Sequence, residues 1–385
     1  MHGSQTLVAK DTRRTAIILP GGGARSAYQV GVLKAISTQV PPGAPLPFGI
    51  VTGTSAGGIL TALLAAHAQD FPAGMVAIER FWRNFHVNLV FDASLGAMLR
   101  SGAQLLGTLL SGGSLVPPPR AFLDTSPLRH TLERHVNLAR IRQSLDQGHV
   151  QGVAISASSY STGRSVTFYD SAAEVPEWTR AWRCGLRTEF GLDHLLASAA
   201  VPLIFPPVHI DGEWFGDGAM RHTAPLSPAL RLGAEKIVVI GLRDPALVDA
   251  APTAPIHRLP LPPSFGQLLG YMLDALFMDG TQSDLERLGR LNDAVMHDPA
   301  LSSQGGLRYV DAKVVYPSAS LSALTTPHLR EMPTSLRVLL RTLGARNVAG
   351  QKLISFLLFE SGYTGALIDL GYADGLVALQ GGLLD

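Results

Sequence analysis

The sequence has little cysteine and no excess of charge of either sign. Cys184 is the only cysteine among 385 residues, so no disulfide can form within the chain, which favours a reducing compartment. The 31 lysines and arginines nearly balance the 30 aspartates and glutamates, and the resulting net charge of +1 does not indicate a polyanionic partner. We therefore expect no binding to nucleic acid.

Long hydrophobic runs are also missing. The first 14 residues contain no apolar segment of the kind found in secretory signals. No uninterrupted apolar run reaches the length of about 18 residues that a membrane-spanning helix needs. We expect a cytoplasmic protein, and a transient peripheral contact with a membrane surface is left open. The composition leaves the oligomeric state open as well.

Apolar residues, by contrast, are plentiful. They make up 46% of the chain, which is enough for a large core. Apolar runs typical of buried strands at 15–20, 48–53, 151–158 and 236–242 alternate with segments of helical spacing. This alternation predicts βαβ units, and hence an α/β fold with a mostly parallel sheet covered by helices on both faces. The stretch "VAISASSYSTGRSVTFYD" departs from it and predicts a hairpin turning at 161–163.

The chain is predicted to have four parts. They are an N-terminal arm (1–14), a main α/β unit (15–245), a proline-rich linker or loop (246–263) and a mainly helical C-terminal extension (264–385) packed on the α/β unit. One strand-like run in the extension, "LRYVDAKVVYP", is expected to join the main sheet because a lone strand is not stable.

Residues 85–119 are amphipathic and interrupted by glycines. We interpret them as helices packed on the sheet, with the glycines allowing close approach. Marginal helices with much apolar surface would also suit a lid over an apolar pocket, and this alternative stays open.

A serine lies between two glycines where a predicted strand becomes a helix. Gly53-Thr54-Ser55-Ala56-Gly57 fits the G-x-S-x-G nucleophile elbow, a sharp turn that exposes the serine and leaves no room for side chains two positions away on either side. The following helix would direct its positive N-terminal end towards developing negative charge. A plain capped turn is the competing interpretation, and the strand–turn–helix context favours the nucleophile.

A serine hydroxyl needs a base to accept its proton. The sequence context of ten of the twelve histidines places them away from a site. His194 and His222 remain, and neither lies in a context typical of a triad histidine. Asp217 is the better candidate, because Gly218 and Ala219 after it leave room for a serine to approach and a partly desolvated carboxylate can act as a general base. The nearby Asp-Gly pair at 211–212 predicts a two-residue hairpin turn instead.

Three glycines follow the first predicted strand, in Gly21-Gly22-Gly23-Ala24-Arg25-Ser26. Their backbone amides could converge on an oxyanion, with a helix N-terminus behind them. The competing dinucleotide fingerprint requires glycine at position 26 and an acidic residue about 20 positions further on. Position 26 is serine and residues 41–53 contain no acid, so the dinucleotide interpretation fails.

Three motifs follow one another along the chain: the glycine loop, G-x-S-x-G and D-G-A. In this order they resemble the patatin-like phospholipase family over roughly residues 15–245. The segments "SAAVPLIFPP" and "PLSPALRLGAEKIVVIG" resemble the same family. The resemblance implies a three-layer α/β/α fold with a Ser–Asp dyad. It makes Ser55 the nucleophile and Asp217 the base. The other site residues implied are the oxyanion-hole glycines Gly21, Gly22 and Gly23 and the supporting residues Arg25, Gly53, Gly57, Gly218 and Ala219. Ser26 departs from the family's usual glycine and would be strained, by about 1 kcal/mol, if that position needs a positive φ.

The expected function is that of a serine acyl hydrolase acting on lipid esters, of phospholipase A or lysophospholipase type. No metal and no organic cofactor is expected, because the chain itself supplies nucleophile, base and oxyanion donors. Two alternatives stay open. One is acyl transfer to another alcohol by the same dyad, and the other is a lipid-binding or scaffold protein without turnover.

Overall fold

Strands and helices alternate along the chain and form a mixed, mostly parallel sheet flanked by helices. The computed structural model describes residues 12–112, 114–115, 121–243, 262–298, 300–303, 306–345 and 348–385. Most of the predicted N-terminal arm and of the predicted linker lies outside the described residues, and the domain boundaries stay a prediction.

Within the described residues the sheet has ten strands, in the order β10-β9-β1-β2-β3-β4-β6-β5, with β8 pairing to β3 and to β7. The strands are β1 Thr15–Leu19, β2 Ile50–Thr54, β3 Gly152–Ser159, β4 Ser165–Ser171, β5 Trp178–Arg180, β6 Arg183–Arg187, β7 Val208–Ile210, β8 Glu213–Asp217, β9 Lys236–Ile240 and β10 Asp311–Val315.

Thirteen α-helices lie in the described residues, together with short 3-10 turns. The α-helices are α1 Ala27–Ser37, α2 Ala56–Ala66, α3 Phe71–Arg83, α4 Leu95–Ser111, α5 Ser126–His135, α6 Ala139–Asp146, α7 Leu192–Ser198, α8 Ser227–Arg231, α9 Phe265–His297, α10 Ala300–Ser303, α11 Thr334–Thr342, α12 Val348–Leu357 and α13 Ser361–Gln380.

Strand β1 shows why its residues 16–19 are all apolar. Ile17 and Leu19 belong to the large core on one face of the sheet, while Ala16 and Ile18 belong to a smaller core on the other. Side chains alternate between faces along a strand, so a strand buried on both faces needs a continuous apolar run. The α/β/α layering predicted from the sequence is confirmed.

The C-terminal region is continuous with this core. β10 pairs in parallel with β9, so it extends the sheet as expected for that run. α13 crosses α1 at very short range, because a Cβ at Gly31 would collide with the Ile368 carbonyl oxygen and one at Gly371 with the Tyr28 carbonyl oxygen. Only glycine allows two helix backbones to approach so closely.

The segment 85–119 divides into two parts. Phe85, Val87, Val90 and Phe91 are buried in the main core, as expected for packed structure. In α4, by contrast, a Cβ at Gly96 or Gly102 would meet no described residue within 4 Å, and the same holds at Gly112 just after it, so packing among the described residues does not require these glycines. Leu110 is 81% exposed. Outside what the structure describes lie residues 113 and 116–119 and the side chains of Leu95, Met98, Leu99, Leu105, Leu106 and Leu109.

No single helix in the described part of the chain is long and apolar enough to cross a membrane. Gly350–Leu357 and Ser361–Gln380 meet the length and composition criteria only when taken together, and they are bent by 95° at the break between them.

Candidate active site

Ser55 occupies the sharp turn between β2 and α2. Its φ of 56° and ψ of −130° lie in a region that residues other than glycine rarely adopt. The turn is held by hydrogen bonds: the Ser55 N–H donates to Ser198 Oγ at 2.8 Å, and the Ser198 hydroxyl donates to the Ser156 carbonyl oxygen at 2.6 Å. Strained backbone kept by surrounding bonds is a feature of functional sites.

The glycines beside Ser55 are required by close packing. A Cβ at Gly53 would collide with the Gly57 carbonyl oxygen, and one at Gly57 would collide with the Leu19 carbonyl oxygen of the neighbouring strand. Backbone atoms cannot move aside as a flexible side chain can. The predicted reason for glycine at both positions is therefore supported by the geometry.

Asp217 lies near Ser55 because the C-terminal ends of β2 and β8 meet along the same edge of β3. β4 occupies one edge of β3, so β2 and β8 share the other: β2 pairs with 152–156 and β8 with 157–159. Thr54 is opposite Ser156, and Asp217 is opposite Ala157, the next residue. β8 is brought there by the β7–β8 hairpin, whose predicted two-residue turn has φ of 48° at Asp211 and 83° at Gly212.

The Asp217 carboxyl group is fully buried. Its Oδ1 accepts a hydrogen bond from the Ala219 N–H at 2.9 Å, while Oδ2 has no partner among the described residues. Burial raises the pKa of Asp217 to about 7, although the nearby Ser55 side chain and the Ala219 amide act in the opposite direction. The Ser55 side chain is thus close enough to Asp217 to act on its carboxyl group. A Cβ at Gly218 would collide with the Ser156 carbonyl oxygen, so this glycine allows the close approach.

The glycine loop lies against Ser55 on the other side. A Cβ at Gly21 would lie 2.8 Å from Ser55 Cβ, and Gly23 has a φ of 54°. No described residue accepts a hydrogen bond from the N–H groups of Gly21, Gly22 or Gly23, whereas most buried amides in proteins are paired. Free amides beside a serine are what an oxyanion hole requires.

The condition under which Ser26 would be strained is not met. Its φ is −63° and its ψ is −12°, an ordinary right-handed conformation at the start of α1. Gly23 is the loop position that needs a positive φ. Sequence position alone did not show where the chain turns. Ser26 is buried, and its hydroxyl has no partner among the described residues.

Neither candidate histidine bonds to Ser55 or Asp217. His194 Nδ1 accepts the Gly191 N–H at 2.8 Å, so this ring caps α7. His222 Nδ1 lies 3.3 Å from Ser165 Oγ, and the ring lines a small cavity behind the glycine loop. Burial, with the Arg183 charge, lowers the pKa of His222 to about 4.

An apolar pocket opens beside Ser55. Its cavity is narrow, with a volume of about 50 Å³. A long ligand would therefore need side chains to move, because small-molecule sites have volumes of about 300–1,000 Å³. The lining includes Ile59, Trp82, Phe85, Val90, Leu128, Val201, Phe205, Phe277, Phe356 and Phe359.

Sequence reasoning missed several residues that shape this site. Ser198 lies within "SAAVPLIFPP", a phrase noted for its resemblance, but its bond to the Ser55 amide depends on the fold. Phe277 and Phe356 come from the C-terminal region and carry no local signal. They were not predicted because they meet the loop only across the folded chain.

Comparison with known proteins gives one informative match. A family model described as patatin-like phospholipase matches residues 17–230, while the curated proteins contain no significant match. Among solved structures, VipD from Legionella pneumophila is 12% identical, with 95% of this chain and 90% of that chain covered at a TM-score of 0.29. ExoU, in its heterodimeric complex with SpcU from Pseudomonas aeruginosa, is 14% identical, with 96% and 75% covered at a TM-score of 0.28.

Proposed function

Because the chain belongs to the patatin-like phospholipase family, whose members are generally lipid acyl hydrolases, we propose that it hydrolyses carboxylic esters of lipids with Ser55 and Asp217. The observation that carries the proposal is the register of β2 and β8 on β3, which brings a strained serine to a buried carboxyl group beside unpaired loop amides. The substrate class is that of phospholipase A or a lysophospholipase.

In the first step, Ser55 Oγ attacks the ester carbonyl carbon and its proton passes to Asp217 Oδ2. The unpartnered oxygen is the one available to receive it. The carbonyl oxygen becomes an oxyanion, which the N–H groups of Gly21, Gly22 and Gly23 stabilise. When the tetrahedral intermediate collapses, the bond to the alcohol breaks and Asp217 returns the proton to that leaving oxygen.

In the second step, water attacks the acyl-serine. Asp217 takes one proton from this water, the same loop amides hold the new oxyanion, and the proton returns to Ser55 Oγ as the fatty acid leaves. A carboxyl group with a pKa of about 7 suits both directions of transfer, because a general base works best when its pKa is near the working pH.

The apolar pocket supports an acyl chain as the part of the substrate that is recognised. Its lining offers almost no polar surface, and it includes both Ser55 and Gly23, so a chain bound there would present its carbonyl between nucleophile and loop.

A fluorophosphonate probe tests the proposal. We expect covalent labelling of the wild-type protein, loss of labelling in Ser55→Ala, and retention in Ser144→Ala, which removes a buried serine of α6 away from the site. Phosphatidylcholine and lysophosphatidylcholine vesicles, with mass spectrometry of the released fatty acid, identify the substrate. A folded wild-type protein that neither reacts with the probe nor releases fatty acid would favour a lipid-binding scaffold. Transfer of the acyl group to an added alcohol in preference to water would indicate an acyltransferase.

A further inference from the structure

The family match ends at residue 230, yet residues beyond it hold the glycine loop. A Cβ at Gly21 would lie 2.8 Å from the Phe277 ring of α9, and one at Gly23 would collide with the Phe356 carbonyl oxygen of α12. The loop is therefore packed between Ser55 on one side and two C-terminal helices on the other.

Arg25, in the 3-10 turn that begins at Gly23, connects the loop to both helices. The residue is 4% exposed. Its Nη1 donates to Asp274 Oδ1 of α9 at 2.9 Å, and its Nε donates to Ser355 Oγ of α12 at 2.8 Å. The guanidinium carbon lies 3.9 Å from the centre of the Phe356 ring. A buried guanidinium with these partners is not free to bind a substrate.

Asp274 is the centre of this arrangement. Its second oxygen, Oδ2, accepts a hydrogen bond from Lys352 Nζ at 2.8 Å, so one carboxylate joins two cations. Burial would raise the pKa of Asp274, but the charges of Arg25 and Lys352 outweigh it and hold that pKa below its usual range. The carboxylate therefore stays ionised and keeps Arg25 in place.

Few other bonds fix the loop. Before it, Gln29 Nε2 donates to the Pro20 carbonyl oxygen at 2.9 Å, and within it the Arg25 N–H donates to the Gly22 carbonyl oxygen at 3.1 Å. The amides of the three glycines have no acceptor among the described residues. The position of these amides consequently depends on Arg25 and on the packing against α9 and α12.

We propose that Asp274 is a positioning residue for ester hydrolysis, which acts by anchoring Arg25 so that the amides of residues 21–23 lie where the oxyanion forms. The inference rests on the proposed function and assigns to the C-terminal region a part in the same site. It predicts an effect on the chemical step rather than on substrate binding, because the amides act on charge that develops in the transition state.

The test compares two carboxylates that each pair with two cations. Asp274→Asn removes the charge that anchors Arg25, while Asp170→Asn removes a buried carboxylate that also pairs with two arginines, Arg142 and Arg187, away from the loop. With a short, soluble ester we expect Asp274→Asn to lower kcat by about 10- to 100-fold, with KM changed less than about 3-fold, since a misplacement of about 1 Å can have an effect of that size. Asp170→Asn should keep kcat within about 2-fold.

Two further variants keep the inference testable if Asp274→Asn unfolds. Asp274→Glu retains the charge and should recover part of kcat. Ser355→Ala leaves the ion pair intact and removes the acceptor of the Nε–H, so it should show a smaller loss confined to kcat. An active, Ser55-dependent wild type with unchanged kcat in these variants, or a change in KM alone, would overturn the inference and leave the proposed function standing. A wild type without activity would overturn both.

Discussion

Thr54 and Asp217 pair with adjacent residues of β3, Ser156 and Ala157. One strand runs parallel to β3 and the other antiparallel, and their C-terminal ends meet. The nucleophile candidate follows the first end and the base candidate forms the second, so strand register rather than any local motif sets their separation.

The pH dependence of the rate follows from the state of Asp217. The carboxyl group must be ionised to accept the proton, and burial raises its pKa to about 7. We expect kcat/KM to rise with pH, by about tenfold per unit below pH 7, and to level off above it. A profile measured from pH 5 to 9 with a soluble ester checks this, and a rate that stays level over the whole range would contradict the raised pKa of Asp217.

Stability should have the opposite pH dependence. The carboxyl pKa rises from 3.8 in the unfolded chain to about 7 in the folded protein, so between these values the folded state binds more protons and the free energy of unfolding falls as pH rises. Asp217→Asn removes this effect. The free energy of unfolding of the variant minus that of the wild type should therefore be about 2–3 kcal/mol larger at pH 8 than at pH 5. Urea unfolding at both values measures it. Ser55→Ala, which retains the carboxyl group, should keep the wild-type slope.

The histidines should be dispensable for turnover. His194 caps a helix and His222 faces Ser165, so His194→Asn and His222→Gln should change kcat by less than about tenfold in folded protein. Asp217→Asn should abolish turnover. A loss of about 10³-fold or more in either histidine variant would indicate a triad instead.

The apolar pocket should set the preference for acyl-chain length. Val201 lines the pocket, and Val201→Phe would remove room for about two methylenes, lowering kcat/KM for a decanoyl ester by roughly 15-fold while an acetyl ester changes little. Val76→Phe, at a position of α3 that is 59% exposed, is the matched control. Equal losses with both esters would show that the acyl chain binds outside this pocket.

Much of the fold and the centre of the candidate site could be predicted because the signals are local. Strand, turn and helix around Ser55 follow from composition over about 20 residues, and the Asp211-Gly212 turn directs β8 back towards β3. Asp217 could be chosen because the small residues after it leave room. Each of these inferences depends on neighbours in the sequence.

The rest depends on contacts between distant parts of the chain. Arg25 and Asp274 are 249 positions apart, and nothing near either residue indicates the other. The conformation of Ser26 depends on where the 3-10 turn begins, which residue types at that point do not decide. Close approach was expected at the glycines of 85–119, yet a Cβ at Gly96 or Gly102 has no described neighbour within 4 Å, because sequence does not show whether a neighbour is present.

The backbone of Ser55 has a consequence for descent as well as for chemistry. The positive φ of Ser55 destabilises the folded state, which a glycine at that position would not do. The buried, unpartnered carboxylate oxygen of Asp217 destabilises the folded state further. In a lineage that no longer used the reaction, replacements at both positions would improve folding and would spread readily. Descendants that only bind lipid should therefore lose this pair early, before they lose the pocket.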